Sequence, residues 1–110
     1  MRAEPEQRLY AAHPRLLDEL RHVYPVGSPH KGIDCADAWF DLVDTLCSEI
    51  QTHIDTAGLE QVRVKRIKAK LGTLRFVIFA QGDERIRGMI DLAYALSARI
   101  HIADNGEGTP

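Results

Sequence analysis

Two blocks of opposite charge sit side by side in the middle of the chain. From Gly32 to Glu60 there are seven acidic residues (Asp34, Asp37, Asp41, Asp44, Glu49, Asp55 and Glu60) and no lysine or arginine. From Arg63 to Arg75 there are six basic residues (Arg63, Lys65, Arg66, Lys68, Lys70 and Arg75) and no acid. Asp34, Asp37, Asp41 and Asp44 recur at intervals of three and four, which would stack them on one face of a helix. Such a row could hold a divalent ion, present an acidic docking face, or form a solvated helix surface. The basic block could meet phosphates or an acidic partner, and the two blocks could also neutralise each other within the fold.

Other chemistry finds little support. His13, His30, Cys35, Cys47, His53 and His101 lack the close paired spacings of structural zinc sites. Cys35 and Cys47 stand among aspartates, whose charge disfavours a thiolate nucleophile. There is no Gly-x-Ser-x-Gly elbow. Lys70-Leu71-Gly72-Thr73 lacks the preceding glycine and following helix of a phosphate loop, so it reads as a hairpin turn. No catalytic residue, metal or cofactor is therefore assigned.

The elements that must position these charges follow from periodicity. Pro5 suits the first turn of a helix carrying Leu9 and Tyr10, and Pro14 breaks it before a second piece running to about Val23. Tyr24 to Gly32, with two prolines and two glycines, predicts a loop. Asp34 to Thr56 predicts a long amphipathic helix with Trp39, Leu42, Val43, Leu46, Ile50 and Ile54 on its apolar face. Asp34 or Asp37 would cap it and Gly58 would end it. The period then changes to two. Val62 and Val64 alternate with Arg63 and Lys65, and the phase slips at Lys65-Arg66 before Ile67, Ala69 and Leu71, which predicts a β-bulge. After a turn at Leu71-Gly72-Thr73, Leu74, Phe76 and Ile78 return on the core face. Val77 and Phe79 point to a far face expected to be partly covered. Asp83 would cap a last amphipathic helix ending between Arg99 and Ile102. The predicted fold is α+β, a single small domain over residues 1–103 in the order α-α-loop-α-β-β-α, its antiparallel hairpin packed against helices. Residues 104–110 read as a flexible tail.

Bulk properties agree with a small globular protein. The 110 residues are 45% apolar and 27% charged with a net charge of −2, which excludes a uniformly basic nucleic-acid binder but not a local basic patch. The N-terminus has no apolar core of a secretory signal, and no apolar run approaches the roughly 18 residues of a membrane span. Cys35 and Cys47 would lie about 18 Å apart along one helix, so reduced thiols and a cytoplasmic location are expected.

From Asp34 onward the chain resembles a family of small, uncharacterised bacterial proteins of prophages and mobile elements. The family carries a C-x-x-G-W-F-x-L-[IV]-x-x-L-C helix and a V-K-E-K-[FL]-G-x-L-R-F hairpin. Here these positions run from Cys35 through Trp39, Phe40 and Leu42 to Cys47, and from Ile67 through Lys70, Leu71 and Gly72 to Phe76. Ala38 stands where the family has glycine, and His101 and Asp104 stand where many relatives finish with a C-x-x-C pair. The resemblance implies a fold and a mobile-element setting, and no established activity. It leaves two expectations. The first is a non-catalytic protein-binding inhibitor, an immunity protein or antitoxin neutralising a bacterial toxin domain, with Asp37, Phe40, Asp41, Asp44 and Glu49 as contacts and Trp39 in the core. The second is an accessory protein of phage type binding nucleic acid through Arg63, Lys65, Arg66, Lys68, Lys70 and Arg75.

Overall fold

The computed structural model describes residues 1–100, so the tail expected at 104–110 lies outside the described residues. Helices α1 (Ala3–Ala12) and α2 (Asp18–Val23) are separated at Pro14, which has no N–H to continue the first helix. Leu9, Tyr10, Leu16, Leu17 and Leu20 from this segment are all buried. The chain from Tyr24 to Gly32 contains no helix or strand. Its end is tightly packed, since a Cβ at Gly32 would stand 2.1 Å from the Tyr10 hydroxyl.

The central helix begins later than its periodicity suggests. Ile33 and Asp34 form a short strand, β1 (Ile33–Asp34), and a single 3₁₀ turn covers Asp37–Trp39 before α3 (Phe40–Ala57) starts. Neither Asp34 nor Asp37 caps that helix. The Asp37 carboxylate instead accepts from the backbone N–H and the guanidinium of Arg2. α3 ends at Gly58, whose φ of 66° is the left-handed conformation glycine adopts without a Cβ clash. Trp39, Val43, Leu46, Cys47, Ile50 and Ile54 face the core.

A three-stranded mixed sheet replaces the expected lone hairpin, with strand order β1-β2-β3. β2 (Val64–Lys70) and β3 (Thr73–Ile78) are antiparallel, and β1 runs parallel to β2 with Ile33 opposite Ile67 and Asp34 opposite Lys68. The register shifts between Val64 and Arg66, at the predicted phase slip. Lys70 pairs with Thr73, which leaves a two-residue turn with Leu71 at φ 54° and Gly72 at φ 76°. Two consecutive left-handed residues are the mirror-image turn that matches strand twist in tight hairpins. Ala69 and Leu71, assigned by alternation to the core side, are exposed: the core at this end reaches Leu74 on β3 but not its partner Ala69 on β2, and Leu71 lies beyond it in the turn. Val77 and Phe79 are exposed as well, so the far face of β3 is open rather than covered.

Helix α4 (Glu84–Ser97) starts at Asp83, whose carboxylate accepts from the Ile86 N–H at 2.9 Å, as predicted. Ile86 and Ala93 enter the core, and Ser97 Oγ accepts from the Leu74 N–H at 2.8 Å. At the opposite end of the hairpin, the Val64 N–H donates to the Leu16 carbonyl at 2.9 Å. These two bonds satisfy strand amides that the ladder leaves free. Ser97→Ala should strand the buried Leu74 N–H and lower the unfolding free energy by about 1–3 kcal/mol, measured by urea titration.

Candidate functional site

The outer face of the hairpin collects the basic block. Directly opposed residues in an antiparallel pair share a face. Val64 with Ile78, Ile67 with Phe76, and Ala69 with Leu74 therefore point inward, while Arg66 with Val77, Lys68 with Arg75, and Lys70 with Thr73 point outward. The bulge at Lys65 lets consecutive residues, Lys65 and Arg66, both reach solvent. Arg66, Lys68 and Lys70 form a row about 14 Å long at the rise of a strand. Arg63 and Lys65 lie over the Phe79 ring at 5.7 and 5.9 Å, and Arg75 lies over the Tyr94 ring at 5.4 Å. These aromatic faces hold cations in place at the margin of the patch. Among the described residues only Arg63 of the six makes an ion pair, with Glu19 at 3.4 Å.

The acidic block is arranged differently. Asp34 is on β1 and Asp37 is in the 3₁₀ turn, so the four aspartates do not share a helix face. Asp37 pairs with Arg2, Asp44 Oδ1 stands 2.7 Å from Nε2 of the buried His13, and both oxygens of Asp55 accept from Arg15 at about 3 Å. Phe40 is half-buried against the core, with the Arg8 guanidinium 4.6 Å above its ring, rather than exposed. Asp41 and Glu49 are exposed and make no ion pair among the described residues. No ion pair among the described residues joins the acidic block to the basic one. The N-terminal segment takes up three of the acidic block's seven acids, Asp37, Asp44 and Asp55.

A groove of about 540 Å³ between α3 and α4 has no counterpart in the sequence reading. Leu42, Leu46 and Met89 line it, Leu92 borders it at 61% exposure, and Glu49 and Arg85 contribute opposite charges. A detectable signal was Leu92, which joins Met89 and Leu96 in a second apolar stripe at helical spacing beside the core face of α4. His53 Nε2 stands 2.7 Å from Asp83 Oδ2 at one end of this helix pair and ties α3 to the cap of α4.

The nucleophile and metal candidates are placed as follows. Cys35 and Cys47 are free and buried; burial pushes the Cys35 thiol up to about 11 and raises that of Cys47 further, with nearby aspartates adding to both. Among the described residues no three His, Cys, Asp or Glu side chains come together to hold a metal ion. No helix among them is long and apolar enough to cross a membrane. The chain matches no family model, no curated protein and no solved structure.

Three carboxyls sit below the usual carboxylate range. Hydrogen bonds from Arg2 lower Asp37, those from Arg15 and Gln51 lower Asp55, and those from His53 and the Ile86 N–H lower Asp83. Each is ionised in the folded chain at pH values where the unfolded chain, with a carboxyl near about 3.9, already binds a proton. Their stabilisation is complete above that value and is lost as pH falls through the folded values. The urea midpoint should therefore fall between about pH 5 and pH 3, and Asp83→Asn should fall less steeply than the parent.

Proposed function

We propose that this chain is a nucleic-acid-binding protein that contacts the phosphate backbone with the outer face of its β2–β3 hairpin. The observation that carries the reading is the set Lys65, Arg66, Lys68, Lys70 and Arg75 on the outer side of the hairpin, all exposed except the half-buried Lys68 and none in an ion pair among the described residues. Three acids of the neighbouring block face away from it, Asp37 toward Arg2, Asp44 toward His13 and Asp55 toward Arg15. A pair of strands can dock in either groove of duplex DNA, with phosphates flanking both. Phe79 and Tyr94, at the margin of the patch and each with a cation over its ring, make a small platform for stacking unpaired bases. That favours a duplex over a single strand. The two free cysteines fit a reducing cytoplasm, and the mobile-element resemblance fits a chain that handles nucleic acid.

Fluorescence anisotropy with a duplex of roughly 20 base pairs should show binding at about 50 mM salt, with log K falling by roughly 0.9 per phosphate contact for each tenfold rise in salt. Lys68→Ala and Arg75→Ala should each reduce that slope by about one and weaken binding evenly across sequences. No binding under those conditions overturns the reading.

A second reading, the inhibitor of a toxin domain, is favoured by the α3–α4 groove. It joins apolar lining to the unpaired Glu49, with Asp41 exposed on the same helix. Against a basic toxin domain encoded beside it, Glu49→Lys should slow association on the order of tenfold at low salt, whereas Asp37→Asn should leave it unchanged. Equal rates for parent and Glu49→Lys would remove the groove from that reading.

A further inference from the structure

Leu71 is the most exposed large apolar side chain among the described residues, at 90%, and it occupies the tip of the hairpin. It is also the only non-glycine residue among them with a positive φ. A mirror-image two-residue turn accepts asparagine, aspartate or glycine there, whereas leucine is strained. Nothing in the core compensates the strain, because Ala69, Lys70 and Gly72 around it are exposed too. Strain at an exposed apolar residue points to use outside the fold. Lys70 adjoins it, and Lys68 opposite Arg75 stands just behind on the outer face.

Resting on the hairpin reading above, we propose that Leu71 is an intercalating wedge. The cations hold the hairpin against the phosphates of a DNA duplex while the leucine side chain enters between two base pairs and bends the duplex. Apolar wedges of this kind act at steps that unstack readily, such as TA and CA/TG. A lipid surface is the poorer match. One leucine between a lysine and a glycine offers little apolar area for a bilayer, and Val77 and Phe79 lie back along the strand, away from the tip.

The test uses the full chain and a duplex of about 25 base pairs, labelled with a fluorescent donor and acceptor at its ends and carrying a central TA step. The parent should raise energy transfer on binding. Leu71→Asn, which suits the left-handed conformation and should keep or raise the melting temperature, should bind with the same salt slope but without the rise. Its affinity should be weaker on the order of tenfold. Leu71→Met, apolar and unbranched, should retain the rise. Binding without a rise in the parent, or a rise that Leu71→Asn keeps, overturns the wedge and leaves the hairpin reading standing. Failure of the parent to bind any duplex overturns both. Binding to anionic vesicles that Leu71→Asn abolishes, with duplex bending unaffected, assigns the leucine to lipid and overturns the wedge.

Discussion

The hairpin is held at two strand amides that its own ladder cannot satisfy: Val64 donates to the Leu16 carbonyl, and Leu74 donates to Ser97 Oγ. A two-stranded ribbon is marginal in water, and β1 adds only two residues of pairing. The ribbon therefore depends on burying Val64, Ile67, Leu74 and Phe76 and on these clamps from opposite ends of the chain. Side chains alternate along a strand except at a bulge such as that at Lys65, so committing one face to the core commits the other to solvent. The cations are exposed for that reason.

The distribution of charge follows from where the N-terminal segment lies. Arg2, His13 and Arg15 meet Asp37, Asp44 and Asp55 across sequence separations above thirty residues. The exposed pairs, Arg2 with Asp37 and Arg15 with Asp55, contribute little to stability. The larger effect of all three pairs is on the field outside the molecule, since they engage three of the seven acids and leave the basic block with two acidic neighbours, Glu19 beside Arg63 and Asp34 opposite Lys68. A chain with a slight negative charge thus presents a positive face.

Much of this arrangement was legible in the sequence, where repetition carried it. The 3.6-residue pattern located α3 and α4, and the break in alternation at Lys65-Arg66 located the bulge. Gly58 and Asp83 marked helix ends through their own backbone and side-chain chemistry. What escaped notice had no repetition to carry it. Two residues of β1 show no period, and Asp37 is drawn from capping by a partner 35 residues away. Alternation also assigned Ala69 and Leu71 to the core, because it specifies a side of the strand and not how far the core extends. The groove depends on how two helices lie beside each other, which neither stripe specifies alone.

Helix α4 belongs to both exposed surfaces. Ser97 closes the edge of β3 near the tip of the hairpin, while Met89 and Leu92, on the same helix, line the groove against α3. Thirteen intervening peptide bonds of regular helix make these a single stiff body between Glu84 and Ser97. A guest that wedges α4 outward from the groove would strain the clamp on Leu74, and a polyanion that tightens the hairpin would resist that movement. Thermodynamic linkage makes such an effect mutual: whatever one occupant does to the affinity for the other is returned by the same factor.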